Sequence, residues 1–220
     1  MKTVVAIHTA APMVEPIKAL FKGNMPEVRL INIVDDSLIQ DVIKAGQVTA
    51  AVKKRLVGYY FAAVDAGADI ILNTCSSVGE VAEAAKDLMG IPIVRVDEAM
   101  VTRAVEISDS IGVLATLPTT LGPTVRFVNT KAIAKGKKVK VCEGLAKGAF
   151  EALLSGDSKR HDELILQTAM QVAREADVLV LAQGSMARME KDLAAASGKT
   201  VLSSPLSGVL AVKDMIVRMR

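Results

Sequence analysis

The chain has 220 residues, of which 51% are hydrophobic and only 3% aromatic, with no Trp, so its core is built from Val, Ile, Leu, Ala and Met. A net charge of +3 is too small for a nucleic-acid footprint, and no basic cluster is interleaved with aromatics on which bases would stack. Two cysteines make no disulfide framework and point to a reducing, cytoplasmic compartment, while no run reaches the ~18 apolar residues of a membrane span and the opening MKTVVAIHTAAPM, interrupted by His8, is no secretory signal.

Thr3–Ile7 reads as an apolar strand that ends at His8-Thr9, and Pro12 and Pro16 mark a turn into a helix that runs to Phe21. Val28–Val34 alternates as a second strand, and Asp35-Asp36-Ser37 caps the helical segment behind it, which Gly46 divides and Gly67 ends. The run Ile70-Ile71-Leu72 is a buried strand, followed by a helix over 79–89 that closes at Gly90. Strand Ile91–Val94 and helix Asp97–Ser108 come next. The pattern then restarts with strand Ile111–Ala115, a helix over Thr119–Val128, strand Val139–Val141 and helices Leu145–Leu154 and His161–Glu175. Strand Val178–Leu181, helix 187–197, strand Thr200–Leu202 and helix Pro205–Val217 complete it. Basic residues at the end of that last helix, Arg218 and Arg220, complement its dipole. Alternation of strands and helices implies α/β units around parallel sheets.

The restart is an internal repeat. AIHTAAP matches VLATLPT, with Thr9 opposite Thr116, and AGADIILNTC matches READVLVLAQ, with Asp69 opposite Asp177 and Cys75 opposite Gln183. The expected architecture is therefore two similar lobes. Each is a parallel β-sheet flanked by helices, the two are related by a pseudo-two-fold axis, and the active site lies in the cleft they form. Residues 1–98, completed by the C-terminal helix 206–220, make the first lobe, and residues 99–205 make the second.

The stretch Asp69–Glu80, DIILNTCSSVGE, concentrates the chemistry. An apolar strand runs into small polar residues and then into a helix, which is where open α/β sheets bind ligands. A helix N-terminus favours anions, a thiolate among them. Cys75 is thus the candidate catalytic residue, against the alternative of a small buried cysteine that packs as a hydrophobe. Hydroxyls and amides of Thr9, Asn73, Thr74, Ser76, Ser77, Thr116, Thr119 and Thr120 stand at the same strand ends as candidate substrate contacts, although roughly half of such residues serve only as caps. Backbone N–H groups near Ser76 and Gly184 add donors for a carboxylate. His8 pairs with substrate or with Cys75. His161 sits in the charged SKRHDE segment and reads as solvated, and Cys142 as core or interface. Arg103, Arg126 and Arg188 read as surface helix residues. No metal-ligand spacing, Walker motif or GxGxxG is present, so neither metal nor cofactor is expected.

These residues resemble the aspartate/glutamate/hydantoin racemase superfamily over nearly the whole chain. Cys75 with Ser76 and Ser77 sits where that family's first cysteine belongs. Leu181-Ala182-Gln183-Gly184-Ser185-Met186-Ala187 resembles its second motif, in which Leu-Gly-Cys precedes two small residues and Met-Ala. IGVLATLPTT, residues 111–120, resembles the second-lobe opening whose Thr residues contact the substrate carboxylate. The resemblance implies cofactor-independent proton transfer by a pair of thiols on opposite faces of a substrate carbon. It also places Gln183 or Ser185 at the second catalytic position and Gly184 and Met186 among the substrate contacts, although a methionine there also serves packing.

Gln has no pKa suited to proton transfer, and Ser is a poor base without a His to activate it. The leading expectation is a racemase or isomerase of a small carboxylate that uses Cys75, with a homo-oligomeric state and no nucleic-acid or membrane partner. A one-base decarboxylase of the arylmalonate type, a maleate isomerase-like enzyme and a non-catalytic carboxylate-binding protein are the alternatives.

Overall fold

A computed structural model describes residues 1–219, so Arg220 lies outside the described residues. The chain divides into two compact units, residues 1–98 with 205–220, and residues 99–204.

The first unit holds β1 (Thr3–His8), α1 (Val14–Asn24), β2 (Arg29–Val34), α2 (Ser37–Ala45), α3 (Ala50–Asp65), β3 (Ile70–Asn73), α4 (Gly79–Ala85) and β4 (Ile93–Arg95). Its four strands are parallel in the order β2-β1-β3-β4. Alternation along β1 decides which layer each residue joins. Val5 and Ile7 pack with Leu56 and Tyr60 of α3 and with Val81 and Ala82 of α4. Val4 and Ala6 face the opposite way, onto Ile17 and Phe21 of α1 and onto Val209, Val212 and Ile216 of α10 (Ser204–Arg218). A parallel sheet needs both faces covered, and α10 supplies the last cover. It docks closely: a Cβ on Gly208 would lie 2.5 Å from the Val96 carbonyl oxygen.

In the second unit follow α5 (Glu98–Ile107), β5 (Ser110–Ala115), α6 (Pro118–Ala134), β6 (Lys140–Leu145), α7 (Ala149–Leu154), α8 (Ser158–Val172), β7 (Val178–Leu181), α9 (Glu190–Ser197) and β8 (Thr200–Ser203). The sheet order is β6-β5-β7-β8, again all parallel. One face of this sheet packs on Met100 and Val101 of α5 and Phe127 and Val128 of α6, the other on Ile165 and Ala169 of α8 and Leu193 of α9.

Topology repeats in register. Asp69 N–H donates to Thr3 O, and Asp177 N–H donates to Ser110 O. Past the strand ends, Thr74 N–H donates to Ile7 O and Ala182 N–H to Leu114 O. The repeat read from sparse letters is thus carried by strand order and pairing.

Several boundaries differ from the sequence expectation, two of them with a clear physical reason. The helix that starts at Pro118 continues through Pro123 to Ala134, because its apolar face persists as Val128 and Ala132 until Gly136 turns the chain at φ 65°. Strand β6 reaches Leu145, which the periodicity assigned to a helix. As the outer strand of its sheet β6 has only one partner, β5, so it tolerates exposed Glu143 and needs no continuous apolar run. Gly144 in it leaves room that a Cβ would take from Leu114 and Val172.

Candidate active site

In both sheets the chain moves first to one side of the opening strand and then back past it to the other. The reversal falls at β1/β3 and at β5/β7, and the carboxyl ends flanking such a reversal form the crevice where open α/β sheets bind ligands.

In the first unit β3 ends at Asn73, and Cys75 follows in extended conformation (φ −125°, ψ 118°) as the residue before a 3₁₀ turn, Ser76–Val78. The Cys75 loop is tied down from beneath. Asn73 Nδ2 donates to the Cys75 carbonyl at 2.9 Å, and Tyr60 Oη of α3 donates to Asn73 Oδ1 at 3.1 Å. Val96 N–H takes the Asn73 carbonyl at 2.9 Å. Burial raises the Tyr60 pKa, the charge of a Cys75 thiolate raises it further, and Arg95 opposes both. Tyr60 therefore stays a neutral donor. Cys75 itself is half-buried and is a free thiol, as is Cys142.

Thr74 Oγ1 donates to Ile7 O at 3.0 Å and lies 3.1 Å from His8 Nδ1, while His8 Nε2 lies 2.9 Å from Asn32 Oδ1. His8 is 0% exposed, and burial lowers its pKa against the opposing Asn32 bond. Both ring nitrogens are thus engaged by the chain, and His8 acts on the loop through Thr74. Asn73 and Thr74 likewise spend polar atoms on holding the loop. Thr9 and Ser76 are buried, yet their side chains make no hydrogen bond among the described residues. Ser77 is buried as well.

Beneath this end lies a pair the sequence reading did not pick out. Arg95 and Asp97 are each 1% exposed, and the guanidinium is bidentate on the carboxylate, Nε to Oδ1 at 2.9 Å and Nη2 to Oδ2 at 2.8 Å. It lies against Gly79, where a Cβ would overlap it. The signal was an arginine inside the apolar strand sequence IPIVRVD.

In the second unit the equivalent residue is Gln183. It too is extended (φ −125°, ψ 137°) and precedes a 3₁₀ turn, Gly184–Met189. Ser185 is the second residue of that turn. It is half-buried, and its hydroxyl makes no hydrogen bond among the described residues. Gln183 Oε1 accepts from Thr116 N–H at 2.5 Å and from Thr116 Oγ1 at 3.0 Å. At the start of α6, Thr119 Oγ1 is shielded from solvent with no hydrogen-bond partner among the described residues, and Thr120 is buried with its N–H on Leu117 O. Met186 is fully buried in one core cluster with Leu181, Met189 and Leu193.

His161 corrects its sequence reading. It is 0% exposed, its Nδ1 lies 2.7 Å from Asp162 Oδ1, and Arg188 closes over both. Its Nε2 has no hydrogen-bond partner among the described residues. The charged neighbours that suggested solvation instead cover it. Arg103, Arg126 and Arg188 are exposed, and Cys142 sits at the core margin with Sγ 3.5 Å from the Glu175 carbonyl. A hollow of about 220 Å³ over α3 and α4, lined by Val48, Val57, Val81 and Leu88, includes none of the strand-end residues. Among the described residues no group of three or more His, Cys, Asp or Glu is placed to hold a metal ion, and no helix is long and apolar enough to cross a membrane.

The Asp/Glu/Hydantoin racemase family profile matches residues 3–212. The chain belongs to that family. No curated protein sequence matches it. Among solved structures it is similar to glutamate racemase from Francisella tularensis subsp. tularensis SCHU S4 in complex with D-glutamate, at 13% identity and TM-score 0.77, covering 99% of this chain and 81% of that one. Allantoin racemase from Pseudomonas fluorescens is similar at 18% identity and TM-score 0.69, over 99% and 91% of the two chains. Aspartate racemase from Picrophilus torridus is similar at 14% identity and TM-score 0.73, over 98% and 94%. At these identities the likeness establishes the racemase fold: helix-flanked parallel sheets in two units.

Proposed function

We propose that this family enzyme is a cofactor-independent isomerase of a small carboxylic acid in which Cys75 carries the proton. The observation that supports this most is the setting of Cys75. It stands at the strand reversal, extended and half-buried, on a loop fixed by Asn73 and Tyr60. A thiolate there removes a proton from the carbon beside the substrate carboxylate, and the resulting thiol returns one. The costly species is the carbanion, which needs hydrogen-bond donors preorganised on the carboxylate oxygens. Thr9 and Ser76, whose hydroxyls make no hydrogen bond among the described residues, fit that task.

A second reading rests on Gln183, which takes the backbone position in its unit that Cys75 takes in the other. With one thiol and an amide, proton delivery is one-sided, as a decarboxylase that protonates a single face requires. The test is a screen of aspartate, glutamate, maleate and a malonate carrying two different substituents on its central carbon, in deuterated water, followed by NMR. Exchange at the carbon beside the carboxylate supports the isomerase reading. Carbon dioxide release with one labelled configuration selects the decarboxylase. Protection of Cys75 by an acid that undergoes no reaction would leave a binding protein and overturn both.

A further inference from the structure

We propose that the hollow between α3 and α4 of the first unit is a binding site, separate from the strand ends, for a small aromatic monocarboxylate whose ring enters the hollow and whose carboxylate meets Lys53. The proposal does not depend on the chemistry of Cys75, because none of the strand-end residues lines the hollow.

The internal repeat shows how this place is built when it is closed. Helices α3 and α8 start in the same way: Thr49 Oγ1 accepts from Val52 N–H, and Asp157 Oδ1 accepts from Arg160 N–H. The spacing between these two caps is the one that sets Cys75 opposite Gln183. Carried along the chain, it sets Val57 opposite Ile165, Val81 opposite Met189 and Ala85 opposite Leu193. In the second unit the three larger side chains are each 5% exposed or less and share one core cluster. In the first unit the three smaller ones line a hollow of about 220 Å³. The same spacing sets His161 opposite Lys53 and Arg188 opposite Glu80. The His161 ring is buried, with Asp162 and Arg188 closing over it. The second unit thus fills its version of the place with apolar bulk and seats a ring beneath an ion pair. The first unit has smaller walls, and none of the residues lining its hollow carries a ring.

The lining decides the occupant. Val48, Val57, Val81 and Leu88 supply apolar walls, and Leu88 is 61% exposed, surface that a bound ring removes from water. Sites for drug-sized ligands measure about 300–1,000 Å³, so this smaller hollow takes one ring with a short chain. Lys53 lines it as well, and its ammonium makes no hydrogen bond or ion pair among the described residues. A carboxylate supplies that partner. Glu80, on the facing helix α4, opposes a second negative charge, which restricts the ligand to one carboxylate.

The test is methyl-resolved NMR of the full chain with 3-phenylpropanoate as the probe, titrated to about 20 mM because a ligand of this size binds at about the millimolar level. Saturable shifts should appear at Val48, Val57, Val81 and Leu88 and persist in Cys75→Ser. Phenethylamine, which reverses the charge, and phenylsuccinate, which doubles it, should bind more weakly. Lys53→Met should weaken the probe by about two- to fivefold, the scale of an exposed ion pair. Ala84→Phe, at an exposed position of the wall, fills the hollow and should abolish the shifts, with circular dichroism as the folding check. If that variant does not fold, Leu88→Ser removes one wall instead and should weaken binding by about twofold or more. No saturable shift at these methyls, shifts confined to other residues, or binding of phenethylamine or phenylsuccinate as tight as that of the probe would overturn the proposal. So would undiminished binding in Lys53→Met, in folded Ala84→Phe or in Leu88→Ser.

Discussion

Gly79→Ala sets two effects of opposite sign against each other. Gly79 opens α4 in right-handed conformation (φ −59°, ψ −31°), so helix propensity alone favours Ala by up to about 1 kcal/mol. The new Cβ would overlap the Arg95 guanidinium. That group cannot swing into water, because it is 1% exposed and bound through Nε and Nη2 to Asp97, itself 1% exposed. Relief requires the guanidinium to tilt off one carboxylate oxygen or α4 to shift. A hydrogen bond to a charged group is worth about 1.5–3 kcal/mol, and overpacking a core typically costs about 1–3 kcal/mol. The clash wins, for a net loss of about 0.5–3 kcal/mol after the propensity gain. The assay is urea unfolding followed by tyrosine fluorescence. Tyr59 and Tyr60 are the chain's two tyrosines, there is no Trp, and both belong to the first unit, so the signal reports that unit. A loss below about 0.5 kcal/mol, the range of an ordinary surface change, or a gain in stability would refute the claim that Arg95 is locked.

Gly208→Ala should destabilise the same unit by about 1–3 kcal/mol, because the obstacle is the Val96 backbone, which has no rotamer to adopt. Gly58→Ala, within α3 and with nothing near its missing Cβ, should instead stabilise by about 0.5–1 kcal/mol; a loss there would point to packing absent from the structure. For His8 the sign follows from its lowered pKa in the fold. Above the unfolded value of about 6.5 both states are neutral and full stability is present. As pH falls below it the unfolded chain takes up a proton that the buried ring resists, so stability is lost from about pH 6.5 down to the folded pKa. Tyrosine-monitored unfolding of His8→Gln at pH 7.5, 6.5 and 5.5 should show a shallower decline than the unmodified protein, and an identical slope would remove His8 as its source.

Alternation of apolar strands with helices made the α/β class legible, and strand Val178–Leu181 was placed to the residue because it is buried from both faces. The strand ends were legible for the same reason, as each apolar run stops abruptly in small polar residues. What the sequence could not show is where those polar atoms are spent. Thr116 N–H and hydroxyl, for example, both donate to Gln183 Oε1. Asn73 and Thr74 similarly hold the loop of Cys75. Long-range partners decide such roles: Tyr60 and Asn73 meet across two elements, and His8 reaches Asn32 on the neighbouring strand. His161 was misread because local charge suggests solvent, whereas Asp162 and Arg188 here form the cover over a buried ring. Arg95 escaped notice because a charged residue in a short strand carries no periodic signal, and its partner Asp97 shows only that the charge can be matched.

The central claim is that Cys75 carries the proton. Its most direct test is hydrogen–deuterium exchange at the carbon beside the carboxylate of whichever screened acid reacts, measured by NMR for the unmodified protein and for Cys75→Ser. Serine nearly preserves the shape of the side chain but is far less acidic than a thiol. The account predicts exchange in the unmodified protein and its loss by more than about a hundredfold in Cys75→Ser, within the contribution of general acid–base catalysis, with the fold intact by circular dichroism. Exchange that survives the substitution at more than about a tenth of the original rate, a change of less than ~1.4 kcal/mol in the barrier, would contradict it.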